Sequence, residues 1–401
     1  MNLTIKKSAA EKFIQNVFII FVLVMSVLVT FYDETLNMAF YYSILGGCFC
    51  FFVFKNRCRI TRAIYPILLY GVLTIGSTLF NGLLRSDPAL IQMLWRALRV
   101  FCTILVGYYY SRFSDEKSRR KMYYIIYILI LISVAYGFYQ NAAGIGWGYN
   151  SRMDSFFGHP ITYGSILIFG FWMTLYLFKS ALVRGILNIY IILGLLSTKS
   201  RSAWIALALI GLLFLVKNSS SRLSKKKTFL LALCIIAAFA FTFTPQFKSI
   251  YESIFSRFSG TMKTASATQR LGSYAYIFMR LISGNPIQIL FGYGEGSANS
   301  VMEMTTITLT SFATTDCQYL TVLYNYGFAG LFMIVSFAIK LIRDYFKTVC
   351  DSEQEMLILS IVGGGYITAI FYDIYGWLSI STLLMLFVGI YYGKEKQMYE
   401  S

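Results

Sequence analysis

Apolar runs of about 20 residues recur along almost the whole chain, each long enough to cross the roughly 30 Å hydrocarbon core of a membrane. Only 13% of the residues are charged, against about 25% in soluble domains, and the mean hydropathy is +0.63. No segment between the runs is long enough for a soluble domain. Because a membrane offers no partner to backbone N–H and C=O groups, such runs fold as helices. The sequence predicts an all-α polytopic membrane protein with a single integral membrane domain over residues 1–401.

The loops between the apolar runs alternate between a strongly basic side and a weakly basic side. Most of the 35 lysines and arginines lie in short loops such as KNRCRITR (55–62) and RFSDEKSRRK (112–121). The positive-inside rule makes these loops cytoplasmic, which predicts about 12 spans with both termini in the cytoplasm. The net charge of +17 follows this topology, so the expected partner is the lipid bilayer and not nucleic acid. The predicted spans are 13–32, 36–54, 63–83, 90–110, 122–140, 161–178, 182–197, 202–216, 228–246, 318–339, 355–372 and 377–393.

Three segments on the predicted outer side are richer in polar residues than simple turns require. They are NAAGIGWGYNSRMDSFFGHP (141–160), the polar residues 197–202 within STKSRSAW, which we call the knot, and the large extracytoplasmic loop 247–317. Long loops that keep aromatic and apolar residues are usually folded and functional. Within this loop, apolar residues at helical spacing over 270–283 predict an amphipathic helix at the membrane interface. The alternative is a surface helix that only seals the bundle.

The fourth predicted span contains two arginines, Arg96 and Arg99. Without them only VFCTILVGYYY remains, which is too short to cross the membrane, so at least Arg99 lies within the membrane thickness. The two residues are three apart and share one helix face. Arginines in spans usually face the protein interior or a wet cavity, which predicts a role in anion binding. The alternative is that they extend toward the outer headgroups, which Arg96 does more easily than Arg99.

Cations are disfavoured on the outer side, so those present there need another explanation. A lipid-linked phosphate or pyrophosphate is the natural ligand, because the planar guanidinium matches phosphate oxygens. Glycosyl transfer from such a lipid also needs a base for the attacking hydroxyl. The outer cations are Arg152, Lys199, Arg201, Arg257, Lys263, Arg270 and Arg280, and the candidate bases are Asp154, His159, Glu295, Glu303, Asp316 and Asp373.

Neither a metal nor another cofactor is predicted. The sequence has no Asp-x-Asp pair and no His/Cys/carboxylate cluster with metal-ligand spacing, which favours a metal-independent mechanism. FGYGEGS (291–297) follows no strand and opens no βαβ unit, so it is a loop and not a nucleotide fingerprint. His159, the only histidine, precedes Pro160 at a span entrance, where a helix N-terminal hydrogen bond is the alternative to catalysis.

The order of motifs over 150–335 resembles the core of the O-antigen polymerase and ligase superfamily. SRSAW (200–204) comes first, Arg270 precedes the amphipathic helix, and GNPIQILFGYGEGS (284–297) and TTDCQYLTVLYNYGFAGLF (314–332) follow. The upstream SRMDSFFGHPITYGSIL (151–167) is similar to a stretch often found before that core. The superfamily contains Wzy-type polysaccharide polymerases and ligases of lipopolysaccharide O-antigen.

The resemblance implies a glycosyltransferase that acts on undecaprenyl-pyrophosphate-linked glycans at the outer face of the bacterial plasma (inner) membrane. It assigns Arg201 and Arg270 to the pyrophosphate, with Arg152, Arg96 and Arg99 as further substrate contacts. Ligases of the superfamily carry a histidine, the presumed base, where this chain has Asp316. An aspartate can accept a proton too, so this departure favours a polymerase with Asp316 as catalytic base.

A polymerase would join a lipid-linked glycan donor to a lipid-linked repeat-unit acceptor, with a chain-length regulator protein as a further partner. Two other functions stay open at this point. A ligase would move finished glycan to another acceptor. A flippase for lipid-linked oligosaccharide would be expected to carry its charges along a central path with short loops, whereas the unusual charges here collect on the outer side.

Overall fold

The computed structural model of the protein describes residues 2–28, 34–55, 62–146, 152–220, 265–305, 314–347 and 350–395. Within these ranges the regular structure is helical, and no β-sheet forms. Seven of the described helices are long and apolar enough to cross a membrane, and three shorter ones are apolar. The helices are α1 (Asn2–Leu28), α2 (Glu34–Lys55), α3 (Tyr65–Arg85), α4 (Leu90–Phe113), α5 (Glu116–Ala143), α6 (Pro160–Leu177), α7 (Ala181–Ser197), α8 (Arg201–Ser220), α9 (Ala265–Ile282), α10 (Pro286–Phe291), α11 (Ser297–Glu303), α12 (Gln318–Tyr345), α13 (Ser352–Ser360) and α14 (Leu378–Glu395).

The all-α polytopic fold predicted from the sequence is confirmed. Each predicted span within the described ranges falls on helical structure, whereas the ninth, 228–246, lies outside them. The span predicted over 355–372 is irregular. After α13 the chain forms a π-helical turn over Ile361–Ile367 and a 3₁₀ turn over Thr368–Ile370. The glycines of IVGGGYI allow this close packing, since a Cβ on Gly364 would lie 2.8 Å from the Ser165 carbonyl oxygen of α6.

Among the described helices, α4 and α14 make the most extensive contact with each other. Glycines make this approach possible, because a Cβ on Gly107 would overlap the Leu386 carbonyl oxygen and a Cβ on Gly389 would overlap that of Ile104. Small residues at helix interfaces in membranes let the two backbones come into direct contact. The pair carries Arg99 of α4 and the loop before α14, so its packing sets the position of the polar groups described below.

Ionic side chains gather at one end of the bundle, which we call the Glu353 end. Glu353 is buried and accepts hydrogen bonds from Arg119 Nε at 2.8 Å and Lys394 Nζ at 2.7 Å. Nearby, Lys12 of α1 forms an ion pair with Asp115, the N-cap of α5, at 2.8 Å. These basic residues were all predicted on the cytoplasmic side, so the structure places them together as the topology requires. Which compartment this end faces stays a prediction.

The helix predicted over 270–283 is confirmed as α9, which begins five residues earlier. Its apolar residues do not form one uniform face. Ile277 and Leu281 are fully buried against α11 and α12, whereas Leu271 and Phe278 are exposed on the other side. The helix therefore seals part of the bundle and also presents apolar side chains outward, and its position at the interface stays a prediction.

Helix α12 is broken at Gly327, whose φ of 67° and ψ of −167° are outside the helical region. The segment after α10 packs into this break. A Cβ on Gly292, with φ of 76°, would overlap the Asn325 carbonyl, and a Cβ on Gly327 would overlap that of Leu290. The two backbones are thus in direct contact at both glycines, and Asn325 Oδ1 accepts from the Ala298 N–H at 2.9 Å. The motif GNPIQILFGYGEGS (284–297), which we call the glycine bracket, thus fixes the predicted outer loop to α12.

Gly107→Ala should destabilise the protein by about 1–3 kcal/mol, because the added methyl forces α4 away from α14. Gly76→Ala is the matched control, since a Cβ on Gly76 meets nothing within 4 Å. That change should alter stability by less than about 1 kcal/mol. Thermal unfolding in detergent, followed by tryptophan fluorescence, measures both. Equal midpoints for the two variants would contradict the close α4–α14 contact.

Candidate active site

The end of the bundle opposite Glu353 holds most of the residues selected from the sequence, and we call it the Asp316 end. Arg270, near the start of α9, donates from Nε to Asp316 Oδ2 at 3.4 Å. Thr314 Oγ1 donates to the other oxygen, Oδ1, at 3.1 Å. Asp316 has a φ of 53°, a left-handed conformation that non-glycine residues seldom adopt and that is enriched at functional sites. Its side chain keeps 17% exposure, so the carboxylate is held in place and still reachable.

Arg152 and the knot form a second part of this end. Arg152 Nε donates to the Thr198 carbonyl at 3.1 Å, and the Met153 N–H donates to the Ser197 carbonyl at 3.2 Å. The knot turns at Lys199, which has a φ of 51°, and Arg201 then begins α8 as a partly exposed residue. Arg152 and Arg201 are therefore brought to the same turn.

Trp204 has a packing role that agrees with its predicted place at the start of the eighth span. Its Nε1 donates to the Leu195 carbonyl at 3.0 Å, which ties α8 to α7. This hydrogen bond fixes the angle of the knot.

His159 is the N-cap of α6, which supports the structural alternative for this residue. Its Nδ1 accepts from the Ile161 N–H at 3.2 Å, and its ring stacks on Tyr372 with centroids 4.6 Å apart. Burial, with the charge of Arg152 as a smaller cause, lowers the pKa of His159 to about 3. The imidazole is therefore neutral throughout the physiological range and is poorly suited to general base catalysis.

Tyr372 lies between the two parts of the site. The charges of Asp316, Asp373 and Arg152 all act on its phenol. The phenol thus feels the carboxylates of one part and the guanidinium of the other. The loop 371–377 that carries Tyr372 is the element that joins them.

Asp373, in the same loop, is one of the six candidate bases selected from the sequence. It is 5% exposed, Oδ2 accepts from Thr321 Oγ1 at 2.9 Å, and Oδ1 has no hydrogen-bond partner among the described residues. Burial raises the pKa of Asp373 to about 6, the Thr321 hydrogen bond opposes this, and the charges of Glu295 and Asp316 add to it. A carboxylate with a raised pKa and an unused oxygen fits a proton acceptor. The sequence contained only a weak signal, an aspartate in a short loop between two apolar runs.

Arg99 is buried, and its role is visible in the structure. Nη2 donates to the Tyr375 carbonyl at 2.8 Å, and Gln318 Oε1 accepts from the Tyr375 N–H at 2.7 Å. The two peptide groups that flank Tyr375 are thus held, one by α4 and the other by the start of α12. Arg96, three residues earlier, is exposed and lies beside Gly296. The two arginines predicted on one face have different surroundings, because only the deeper one reaches the protein interior.

Two other candidate bases are in different environments. The Glu295 carboxylate accepts a short hydrogen bond from the Tyr326 hydroxyl, and its backbone N–H donates to Thr78. Glu303 is exposed at the end of α11. Arg257 and Lys263 lie outside the described residues. No group of three His, Cys, Asp or Glu side chains able to hold a metal occurs in the described part of the chain, and metal independence stays a prediction.

The fold and site define a multi-pass helical membrane protein with arginines and carboxylates grouped at one end of the bundle. Residues 186–335 match the family model described as O-Antigen ligase. The resemblance to the O-antigen polymerase and ligase superfamily is confirmed over this segment. The match includes the knot, α9, the glycine bracket and the start of α12, whereas the stretch 151–167 lies before it. Family members are membrane enzymes of the glycosyltransferase type. No curated protein matches the chain.

The raised pKa of Asp373 predicts a carboxyl that titrates near pH 6, two units above an ordinary aspartate. Its protonated C=O band in the infrared difference spectrum should be present at pH 5, disappear by pH 7.5, and be missing in Asp373→Asn. Thr321→Val removes a hydrogen bond that favours the ionised form, so the titration should move up by about one unit. A band that titrates below pH 4.5 in the parent protein would contradict this assignment.

Proposed function

We propose that the protein is a polysaccharide polymerase that joins undecaprenyl-pyrophosphate-linked repeat units at the outer face of the bacterial plasma membrane. The observation that carries the proposal is the Arg270–Asp316 pair, with Asp373 behind it. A cation for a leaving pyrophosphate and a carboxylate for an attacking hydroxyl are held side by side. These are the two groups that glycosyl transfer without a metal requires.

In the proposed reaction the acceptor's terminal hydroxyl attacks the anomeric carbon of the glycan carried by the donor lipid. A new C–O bond forms, the bond to the pyrophosphate oxygen breaks, and polyprenyl pyrophosphate leaves with the electron pair. Asp316 takes the hydroxyl proton. Arg201 and Arg270 neutralise the growing charge on the pyrophosphate, with Arg152 at the same turn as Arg201.

Contact with Asp316 gives Arg270 a further role in this reaction. It uses Nε toward Asp316, and its terminal nitrogens make no hydrogen bond within the described residues. As Asp316 gains a proton it loses its charge, while the pyrophosphate gains charge. Arg270 then exchanges one counter-ion for the other without moving far, so the same guanidinium pairs with the base before transfer and stabilises the leaving group after it.

Asp373 acts on Asp316 through its charge and not through contact with the substrate. It is buried, so direct contact with a sugar is disfavoured, but its charge lies close enough to Asp316 for the two to interact. A second carboxylate makes proton uptake at the site more favourable. We assign Asp316 as the catalytic base and Asp373 as the group that tunes it.

An apolar cavity next to the polar site suits a lipid substrate. It has a volume of about 350 Å³ and lies between α1, α5, α6 and α14. Phe156 and Phe157 form part of its wall and belong to the segment that also carries Arg152 and His159. A lipid whose pyrophosphate reaches the arginines can thus place part of its isoprenoid chain in this cavity.

The ligase is the second candidate, because the matching family model is described as O-Antigen ligase. Asp316, where ligases of the superfamily carry histidine, favours the polymerase. The acceptor distinguishes the two functions. A polymerase lengthens lipid-linked repeat units in the absence of any other acceptor, and a ligase does not.

Arg201→Ala, Arg270→Ala and Asp316→Ala should each leave single lipid-linked repeats and abolish longer chains, since each removes a group used in the transition state. The loss of rate should exceed about 100-fold. Arg280→Ala is the matched control, because Arg280 is an exposed cation on the same helix as Arg270. Electrophoresis of the glycan gives the chain-length ladder. Normal ladders in all three variants would overturn the site, and repeats trapped on the cytoplasmic side would instead indicate a flippase.

Leu129→Trp should fill the apolar cavity and reduce turnover of long-chain prenyl donors, while a donor with a ten-carbon prenyl group is used as before. Ile125→Trp is the matched control, one turn away on α5, with 39% exposure against 40% for Leu129, and it does not line the cavity. The measurement is kcat/KM for the two donors. Equal losses with both donors, or equal effects of the two variants, would exclude the cavity as the site of the isoprenoid chain.

A further inference from the structure

A second cavity lies at the Glu353 end, far along the bundle from the carboxylates of the Asp316 end. It has a volume of about 130 Å³ and lies between α6, α7, α8 and the start of α13. Unlike the apolar cavity, it is lined by polar and charged groups as well as apolar ones. Those that matter here are Trp172, Tyr176, Arg184, Phe214, Ser352 and Glu355.

Two buried donors of this cavity wall lack partners. Trp172 is 2% exposed and Tyr176 is 9% exposed, and neither the indole Nε1 nor the Tyr176 hydroxyl has a hydrogen-bond partner among the described residues. Buried donors are nearly always paired, so these two point to an acceptor that none of the described residues supplies. Both side chains come from the same face of α6, four residues apart.

The charge of the cavity favours an anion. Glu355 pairs with Lys217 Nζ at 3.3 Å, so its negative charge is offset within the wall. Arg184 makes no ion pair among the described residues. Arg120 lies 5.7 Å from the centre of the Tyr176 ring and adds positive potential behind it. The cavity wall therefore has one positive charge in excess, the guanidinium of Arg184, with the neutral donors Trp172 and Tyr176 beside it. This combination is typical of phosphate binding.

The surroundings of the cavity indicate where such an anion comes from. α7 and α8 are joined through the knot at the Asp316 end, and at the Glu353 end the start of α7 and the end of α8 stand on either side of the cavity. The two helices make few contacts with each other; α7 packs mainly on α6 and α5, and α8 packs mainly on the π-helical turn and α6. Ile186 and Ile189 on α7, and Leu209 and Leu212 on α8, are exposed apolar residues. Acyl chains fit along these surfaces, with a headgroup between the helix ends.

We propose that this cavity binds the phosphate of a phospholipid headgroup from the adjacent leaflet, with Arg184, Trp172 and Tyr176 as its donors. The lipid fills the gap between α7 and α8, the two helices that hold the knot at their other ends. The proposal is independent of the proposed glycosyltransferase activity, since it concerns the opposite end of the bundle and none of the residues assigned to that reaction.

The test uses the full chain in nanodiscs of phosphatidylethanolamine and phosphatidylglycerol at a ratio of three to one, with native mass spectrometry of the lipids retained on release. Trp172→Phe keeps the ring and removes the N–H, and Arg184→Ala removes the cation. Lys179→Ala is the matched control, an exposed cation between α6 and α7 that does not line the cavity. Thermal unfolding of each variant verifies folding.

We expect one tightly retained phospholipid in the parent protein and in Lys179→Ala. Its retention should fall at least about ten-fold in Arg184→Ala and several-fold in Trp172→Phe, in line with lost hydrogen bonds to a charged group. Equal retention in all variants would overturn the proposal. So would displacement of the lipid by millimolar inorganic phosphate or glycerophosphoethanolamine, because the site would then recognise a soluble anion and not a membrane lipid.

Discussion

The site depends on the backbone of Tyr375, which is held at both its N–H and its carbonyl. Arg99 donates to its carbonyl from α4, and Gln318 accepts from its N–H at the start of α12. Burying an arginine in a membrane span is costly, and this hydrogen bond from Nη2 offsets part of that cost, whereas Nε has no hydrogen-bond partner among the described residues. These two hydrogen bonds fix the loop 371–377, which carries both Tyr372 and Asp373.

Through this loop, residues far apart in sequence act as one group. His159 stacks on Tyr372, and the same phenol lies within electrostatic reach of Arg152 and Asp316. The knot, the loop 152–159 and the start of α12 are therefore arranged around a single fixed element. The proposed division of roles follows from exposure. The accessible Asp316 meets the substrate, and the buried Asp373 sets its electrostatic surroundings.

Much of this fold was predictable, because hydropathy and the distribution of basic residues depend only on local sequence and the membrane. The spans and helix α9 are of this kind, whereas the grouping of Arg270 with Asp316 follows from the family resemblance and not from local sequence. The break at Gly327, the π-helical turn and the burial of Asp373 were not predictable, since each depends on which helices pack together. Gly292 lies against the Asn325 backbone and Gly327 lies against the Leu290 backbone, and no pattern in one segment reveals the other. Asp373 was one of six candidate bases, and only the tertiary fold separates it from the rest.

The proposed chemistry needs only the protein and its two lipid-linked glycans. Purified protein, reconstituted in vesicles with lipid-linked repeat units, a chelator and no nucleotide, tests this most directly, with glycan chain length as the readout. The account predicts a ladder of products longer than one repeat, together with release of polyprenyl pyrophosphate in equal amount to the bonds formed. Single repeats that persist unchanged, or extension that requires nucleotide sugar or added metal, would contradict it.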